Sequence, residues 1–455
     1  MTVRPFRAVR PKPELVSKVA ELPYDVMNTE EARQIASGNP HSFLRVDKAE
    51  IDLPPETDQY DAKVYAKAKE NLQSLIKTSM IQDDKPCFYI YRLTGYGQTQ
   101  TGLAACVSTA EYEQGLIKRH EFTRPDKEQD RVNHMVACEA HTGPIFLAYR
   151  SQGESLEKYA QEKPAYDFTS DDGVRHELWV IDCEETQNAL ISKFEKMPAL
   201  YIADGHHRNA TAAILANMRN KKAATPLFCD ASSGAPPTAA ERSGALPRVA
   251  RGLGGVAPIG DGNCESSFLA NKENHDSGAE HNFYLAVIFP HDELAILDYN
   301  RVVKDLNGMN IAAFLDKLSA DWNVEKSDSQ VKPERKYIVG MYLEKQWYRL
   351  TVKNPPPASS AIESLDCSVL QDSLLSPLLG IGDPRTDKRI DFVGGIRGLG
   401  ELEKRVNSGE MTVAFALYPT SMDELMAVAD ANQIMPPKST WFEPKLRSGL
   451  LVHLF

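Results

Sequence analysis

One stretch of the sequence decides the fold, and it reads Ala199-Leu200-Tyr201-Ile202-Ala203-Asp204-Gly205-His206-His207-Arg208-Asn209-Ala210-Thr211-Ala212. The run 199–203 is apolar and has the length of a buried strand, whereas 208–216 is rich in the Ala, Leu and Ile of a helix packed on a sheet. Asp204 precedes the helix, where a side chain that caps the first turn is favoured. The pattern predicts a strand, a tight turn and a helix, with Asp204 as the N-cap.

The predicted turn has the features of an anion site. Gly205 lets a bound group approach the backbone, and the first helical turn offers N–H groups and the positive end of the helix dipole. His206, His207 and Arg208 add side-chain donors. The alternative is an ordinary capped helix, but such a cap needs one Asp and no histidines. We therefore expect Asp204 to Arg208 to bind phosphate.

Composition limits the class of protein. The 455 residues, 42% hydrophobic and 25% charged, suit a soluble globular chain of one to three domains. The basic N-terminal segment 1–14 has no apolar core of a signal peptide, and no apolar run approaches the roughly 18 residues that span a bilayer. The net charge of −11 argues against nucleic-acid binding. The seven cysteines are scattered, as in a reducing compartment. We expect a cytoplasmic protein without membrane contact.

Alternating patterns along the chain predict a mixed α/β fold. Helices are predicted at 29–37, 62–79, 125–140, 311–320 and 368–379, and strands at 42–46, 143–149, 337–342, 347–352 and 412–417. Two hairpins are predicted, one from 87–92 and 101–108 about Gly95-Tyr96-Gly97, the other from 282–289 and 294–297. The segment 221–279 is rich in Gly, Ala, Ser and Pro and is predicted to be a disordered insertion. It would separate a core at 1–220 from a C-terminal α/β region at 280–455.

One face of the predicted helix 125–140 is polar. Lys127, Arg131, His134, Cys138 and His141 recur at helical spacing, which is typical of a solvated surface. The same spacing is also compatible with a zinc site formed by His134, Cys138 and His141, but the sequence offers no matched fourth ligand nearby. In the C-terminal loop 435–445, Lys438 and Lys445 either close over an anionic ligand or are ordinary surface lysines.

Several motifs together resemble the bacterial DUF1015 family. They are Leu22-Pro23-Tyr24-Asp25-Val26 with 39–46, His120-Glu121-Phe122-Thr123 with Lys127 and Asp130-Arg131, Asp204 to Arg208, and Arg385 to Ile390 with Met435 to Thr440. The resemblance covers nearly the whole chain except 221–279, which looks foreign to the family. Through the Asp-Gly-His-His-Arg turn the family is similar to the ParB/sulfiredoxin-like superfamily, and this implies a ParB-like strand-turn-helix core elaborated by hairpins and the C-terminal α/β region.

Free-serine kinases in that superfamily carry a similar turn. The resemblance thus implies phosphoryl transfer from a nucleotide or pyrophosphate to a small hydroxyl compound, with free serine as one candidate. Sulfiredoxins use a cysteine in the turn, and here the turn has no thiol. A DNA-partition-associated nucleotide-binding protein of the ParB kind is an alternative, but no helix-turn-helix or basic surface is evident. A metal-dependent hydrolase that uses His206 and His207 is the other alternative.

Roles can be assigned to individual residues under the kinase hypothesis. Backbone N–H groups from Gly205 to Arg208 would hold the phosphates, while Arg208 and a histidine, His207, neutralise the transferred group. Mg²⁺ would accompany ATP, ADP or pyrophosphate, with its carboxylate ligand and the general base drawn from Asp25, Glu121 and Asp130, and Glu21 as a further candidate. Substrate would contact Tyr24, Asp25, Arg45, Lys127 and Arg131; Arg45 and Lys127 suit a substrate carboxylate.

Overall fold

Two large sheets organise the described chain. The computed structural model describes residues 1–123, 125–160, 163–224, 278–357 and 359–455. The predicted insertion therefore lies outside the described residues except for its ends, and its first residues, 221–224, still belong to a helix.

The strands, numbered in chain order, are β1 (Val3–Arg4), β2 (Val9–Pro11), β3 (Met80–Gln82), β4 (Phe88–Gly95), β5 (Gln98–Ser108), β6 (Ile117–Lys118), β7 (Ala140–His141), β8 (Ile145–Tyr149), β9 (Tyr166–Thr169), β10 (Arg175–Ile181), β11 (Leu200–Asp204), β12 (Phe283–Pro290), β13 (Ala295–Leu297), β14 (Tyr299–Val303), β15 (Trp322–Ser327), β16 (Ile338–Leu343), β17 (Gln346–Val352), β18 (Ile390–Gly394), β19 (Val413–Ala416), β20 (Trp441–Glu443) and β21 (His453–Leu454).

The α-helices are α1 (Val16–Val19), α2 (Thr29–Ile35), α3 (Leu44–Asp47), α4 (Ala62–Thr78), α5 (Thr109–Glu113), α6 (Pro125–Cys138), α7 (Glu184–Glu195), α8 (His206–Ala224), α9 (Ile311–Leu318), α10 (Asp366–Leu370), α11 (Gly398–Asn407) and α12 (Met422–Asp430). A turn of π-helix, Gln371–Leu375, continues α10. Within the described ranges no helix combines the length and the apolar content that crossing a bilayer requires.

The larger sheet has the order β6-β11-β8-β12-β5-β4-β10-β9, and β1 adds to β5. Its pairs are antiparallel except β11 with β6 and β12 with β8. Every residue of β12 is buried, because side chains of a strand alternate between the two faces and both faces of this sheet are covered. Phe283, Leu285, Val287 and Phe289 pack in one core, and Tyr284, Ala286 and Ile288 pack in another.

The smaller sheet is antiparallel, with the order β15-β17-β16-β19-β14-β18. Short ladders pair β13 with β20, β2 with β3 and β21 with β7. One compact unit, Met1–Ala216 with Ala279–Phe455, contains all these strands. The second unit is Asn217–Gly278, of which the structure describes 217–224 and 278. The division into a core at 1–220 and a region at 280–455 stays a prediction.

The first predicted hairpin is confirmed. Tyr89 to Gly95 on β4 pairs with Gln98 to Ala104 on β5, so the loop consists of Tyr96 and Gly97. Both loop residues have positive φ, 55° and 81°, as a two-residue turn that matches the twist of its strands requires. The mixed α/β class and the predicted helices α2, α4, α6 and α9 are likewise confirmed.

Two predicted elements are wrong. The second hairpin does not form, because β5 and β8 occupy both edges of β12, and β13 pairs instead with β20. The predicted strand 42–46 is largely the helix α3. Phe43 and Val46 share one core there, and their spacing of three residues is that of a helix face. A short apolar run is compatible with either structure, and the local backbone decides between them.

Candidate functional site

The strand-turn-helix at the centre of the sequence forms as predicted, with the helix starting earlier. β11 ends at Asp204, Gly205 has φ +91°, and α8 begins at His206. The carbonyl of Gly205 accepts the N–H of Asn209 at 3.0 Å, so Gly205 occupies the capping position. The prediction of Asp204 as N-cap is wrong by one residue: its Oδ1 accepts the N–H of Gly205 at 2.9 Å.

A cavity of about 1060 Å³ opens at this turn. Eleven of the twelve predicted site residues line it: Tyr24, Asp25, Glu121, Lys127, Asp130, Arg131, Asp204, Gly205, His206, His207 and Arg208. They come from four separate parts of the sequence, and the C-terminal loop closes the wall with Met435, Lys438 and Lys445. The described chain thus brings almost the whole predicted set to one cavity.

Arg45 is the exception. It is not on the cavity wall, and its guanidinium contacts residues close to it in the sequence. Nε donates to the carbonyl of Asn39 at 3.0 Å, Nη2 donates to the carbonyl of Ala36 at 3.0 Å, and Nη1 pairs with Asp52. Arg45 therefore fixes the segment between α2 and α3, and the predicted contact with a substrate carboxylate has no structural basis.

Arg208 is a buried cation between two carboxylates. It is 6% exposed, and its Nη2 lies 3.9 Å from Asp25 Oδ2 and 4.0 Å from Asp204 Oδ2. Nη1 donates to the carbonyl of Pro144, whereas Nε has no hydrogen-bond partner. Burial opposes the charge, but the two carboxylates outweigh it and raise the pKa of Arg208. The guanidinium is charged and has donor capacity left.

Lys445 is buried and lines the cavity, so it is not a surface lysine. It is 7% exposed, and its Nζ donates to Asp204 Oδ2 at 3.3 Å while lying 4.9 Å from the ring centroid of Trp441. Burial favours the neutral acid at Asp204, yet Lys445 and Arg208 hold the pKa of that carboxyl below its usual range. Lys438 fits the ligand-facing alternative: it lines the cavity, with Nζ 5.7 Å from the ring centroid of Tyr299.

Asp130 and Arg131 form a closed polar group on α6. Arg131 Nε and Nη2 contact Asp130 Oδ2 at 2.9 and 2.8 Å, and the Tyr65 hydroxyl donates to Asp130 Oδ1 at 3.0 Å. The Arg131 guanidinium also lies 4.3 Å from the ring centroid of Tyr24. Both oxygens of Asp130 are therefore engaged, which makes it a poor general base and a good anchor for Arg131 and Tyr24.

The polar face of α6 points toward the cavity rather than into solvent. Lys127, Arg131 and His134 line the cavity, and Lys127 Nζ donates to the Tyr60 hydroxyl at 2.9 Å. His134 Nε2 donates to the carbonyl of Val46 at 2.9 Å, and His141 lies on β7, beyond the end of the helix. The zinc alternative with His134, Cys138 and His141 is not supported: these three do not form a metal-ligand group in the described chain.

A different trio brings its ligand atoms together. One atom from each of His120, Glu121 and His206 lies within 4.8 Å of the others. The two imidazole rings meet edge to face, with centroids 4.5 Å apart, and His206 Nδ1 is 3.9 Å from Glu121 Oε2. Burial lowers the pKa of His120 to about 4, and burial together with His120 lowers the pKa of His206. Burial raises the pKa of Glu121. Burial therefore favours the neutral form of both histidines, which is the form that binds a metal ion.

The comparisons with known proteins agree with the motifs. The model of a family described as "Protein of unknown function (DUF1015)" matches residues 3–231 and 258–368. The chain belongs to the DUF1015 family. The unmatched interior of this DUF1015 chain is 232–257, so the foreign segment is shorter than the predicted 221–279, and the match ends before the motifs at 385–390 and 435–440. No curated protein matches the sequence.

Solved structures show distant likeness to this DUF1015 chain. A free serine kinase (E30Q mutant) in complex with AMP is 11% identical, with a TM-score of 0.33 over 74% of this chain and 87% of the kinase. A conserved hypothetical protein from Pyrococcus furiosus is 12% identical, with a TM-score of 0.33 over 77% and 95%. SbnI with a C-terminal truncation, from Staphylococcus aureus, is 11% identical, with a TM-score of 0.35 over 77% and 87%.

Proposed function

We propose that this DUF1015 protein is a small-molecule kinase that transfers a phosphoryl group from a nucleotide or pyrophosphate to a small hydroxyl compound, with free serine as the first acceptor to test. The observation that carries the proposal is the helix start at the cavity. The wall includes Gly205 and the first turn of α8, whose amides lie outside the i to i−4 bonding of the helix. Such a turn attracts phosphate oxygens.

Side chains at the same wall supply positive charge. Arg208 keeps a buried Nε donor without a partner, and Lys445 and Lys438 line the cavity. The N–H of Gly205 donates to Asp204, so the phosphate would be held by the following amides of the helix and by Arg208 rather than by Gly205 itself. This positive charge supports the proposal, because the transition state of phosphoryl transfer spreads negative charge over the transferred group.

Of the predicted candidate carboxylates on the cavity wall, two remain for the chemistry once Asp130 is excluded. Asp25 and Glu121 line the cavity and are partly exposed. One would accept the proton of the acceptor hydroxyl as its oxygen bonds to phosphorus, while the bond from phosphorus to the leaving phosphate oxygen breaks. The other fits Mg²⁺, which binds oxygen ligands and is usually held by one or two carboxylates together with substrate phosphates. When bound, Mg²⁺ would neutralise charge on the phosphates.

Calorimetry tests the proposal directly. ATP, ADP and pyrophosphate are titrated with Mg²⁺ into the full chain and into the double variant His207→Ala with Arg208→Ala. Charge-assisted hydrogen bonds contribute about 1.5–3 kcal/mol each, so we expect the double variant to bind at least about 10-fold more weakly. The matched control is His291→Ala with Arg150→Ala, since both residues lie outside the cavity lining.

The acceptor is found by incubating serine and other small hydroxyl compounds with whichever donor binds and detecting the phosphorylated product. Asp25→Asn and Glu121→Gln should each lower turnover, whereas Asp130→Asn should act chiefly through stability. The proposal is wrong if no phosphate donor binds to the wild-type chain, or if the control and the site variants lose affinity equally.

A further inference from the structure

The trio His120, Glu121 and His206 has an unusual concentration of buried, unsatisfied nitrogen. His120 is 2% exposed and His206 is 7% exposed. Neither ring nitrogen of His120 makes a hydrogen bond of ordinary geometry, and nor does Nε2 of His206. Buried polar atoms are nearly always hydrogen-bonded, because an unpaired one loses its contact with water and gains nothing. Even when the backbone carbonyl of Ile202 is counted as a partner of one His120 nitrogen, two of the three atoms have no hydrogen-bond partner within the described chain.

The position of the trio is fixed by the fold. His120 and Glu121 follow β6, which pairs in parallel with β11, and His206 follows β11 after the turn. The ends of these neighbouring strands therefore deliver both histidines to one edge of the sheet. The N–H of Met435 donates to the carbonyl of His120 at 2.9 Å, so the C-terminal loop holds this segment from the other side.

We propose that His120, Glu121 and His206 bind a divalent transition-metal ion of the zinc class, at a site separate from the Mg²⁺ of the nucleotide. Two imidazole nitrogens and one carboxylate oxygen are a donor set that suits Zn²⁺ or Co²⁺, whereas Mg²⁺ prefers oxygen ligands alone. Two of the three ligands, Glu121 and His206, line the cavity, so an ion held there has a route of entry and faces the cavity with its remaining coordination position.

The distances suit a site that tightens around its ion. Bonds of about 2.1 Å in a tetrahedral arrangement bring ligand atoms to about 3.4 Å from one another. The trio lies within 4.8 Å, so each side chain has to move by less than about 1 Å. Asp204 contributes negative charge near both histidines, and Arg119 near His206 and Lys438 near Glu121 contribute positive charge.

The proposed metal site does not depend on the proposed phosphoryl transfer, but it changes which residues are left for that reaction. A metal-bound Glu121 has its carboxylate engaged, which leaves Asp25 as the carboxylate of this pair that faces the nucleotide and its Mg²⁺. It also distinguishes the two histidines of the turn, because His206 belongs to the proposed ligand set and His207 does not.

The test is metal binding by the full chain after treatment with a chelator. A Cys183→Ser, Cys229→Ser and Cys264→Ser background removes the exposed thiol of the described ranges and the two thiols outside them, since thiols would themselves bind zinc. Zn²⁺ is titrated by calorimetry, and Co²⁺ is followed by visible absorption, whose intensity reports tetrahedral coordination. We expect one ion per chain and no binding of Mg²⁺ without nucleotide. His120→Ala and Glu121→Gln should weaken Zn²⁺ binding by more than about 100-fold, because even partners outside the ligand set often contribute 10- to 100-fold.

His291→Ala is the matched control, since this histidine lies outside the cavity lining and should leave Zn²⁺ affinity unchanged. Glu121 is partly exposed, so Glu121→Gln decides the question even if the buried His120→Ala does not fold. The proposal is overturned if neither Zn²⁺ nor Co²⁺ binds at one ion per chain, or if Glu121→Gln binds as tightly as the parent. Nucleotide calorimetry on the metal-free chain with Mg²⁺ is scored separately, so either proposal can fail while the other stands.

Discussion

Replacing Glu21 by glutamine should make the protein more stable at alkaline pH and leave it unchanged at acid pH. Glu21 is not on the cavity wall, so the sequence-based suggestion that it is a catalytic carboxylate has no support. Its Oε1 accepts the Ser42 hydroxyl at 2.6 Å, and its backbone pairs with Ser448. Burial raises the pKa of Glu21 from 4.5 to about 7, although Ser42 and Arg447 oppose the shift.

The magnitude follows from those two pKa values. They differ by about 2.5, and at 1.36 kcal/mol per pKa unit this corresponds to about 3 kcal/mol. The native state keeps the proton while the unfolded chain releases it, so the free energy of unfolding falls as the pH rises from about 4.5 to 7. Above pH 7 the loss is complete. Glutamine is neutral and similar in shape, and it removes the loss.

The assay is urea unfolding of wild type and Glu21→Gln, followed by tryptophan fluorescence and circular dichroism between pH 4.5 and pH 8. The variant should exceed the wild type by about 3 kcal/mol at pH 8 and match it at pH 4.5. Glu14→Gln, at an exposed position, is the control and should show no such divergence. Equal stability of variant and wild type at pH 8 would refute the argument, because it would mean that the native carboxyl carries its charge without penalty.

Three further substitutions test the geometry. Gly205→Ala puts a side chain at φ +91° and 3.2 Å from the Arg208 guanidinium, which should cost about 1–2 kcal/mol of stability and weaken nucleotide binding about 10-fold in calorimetry. Gly449→Ala combines φ +75° with overlap onto the ring of Phe43, and it should lower the urea unfolding free energy by about 2–5 kcal/mol; a loss below 1 kcal/mol would contradict this packing. Arg45→Ala should lower the free energy of unfolding by about 2 kcal/mol and leave nucleotide affinity unchanged. A parallel loss of affinity would indicate that Arg45 contributes to binding after all.

Local patterns predicted the parts of this fold that local physics determines. The signals for β11, for the turn at Gly205 and for α8 all lie within a few residues of one another. They are the apolar run before Asp204, the glycine and the helix formers after it, and each predicted its element correctly. The Gly95-Tyr96-Gly97 turn is similar, because positive φ at two adjacent positions leaves few alternatives to a tight hairpin.

Pairing between distant strands was beyond such patterns. β12 and β13 are adjacent in sequence and apolar, which favours a hairpin, yet the flanks of β12 are taken by β5 and β8. The sequence left open whether Lys445 faces a ligand or solvent, and it could not predict the contact with Asp204, which lies 241 residues away in the sequence. The contact of His120 with His206 was not predicted either. His120 precedes the predicted site residue Glu121, but only the parallel pairing of β6 with β11 brings it to His206.

Under the proposed function, the charges around Arg208 favour binding of phosphate together with a divalent cation over binding of phosphate alone. Arg208 and Lys445 are buried cations, and each already has a carboxylate within 4.0 Å. A buried charge is stable only when an opposite charge or hydrogen bonds compensate it. A phosphate that paired with Arg208 would leave Asp25 without its cation and close to new negative charge. A cation that arrives with the phosphate removes this conflict because it binds the carboxylate that Arg208 releases. The same acidic residue that repels a bare phosphate thus becomes a reason for the cavity to favour a metal-phosphate complex.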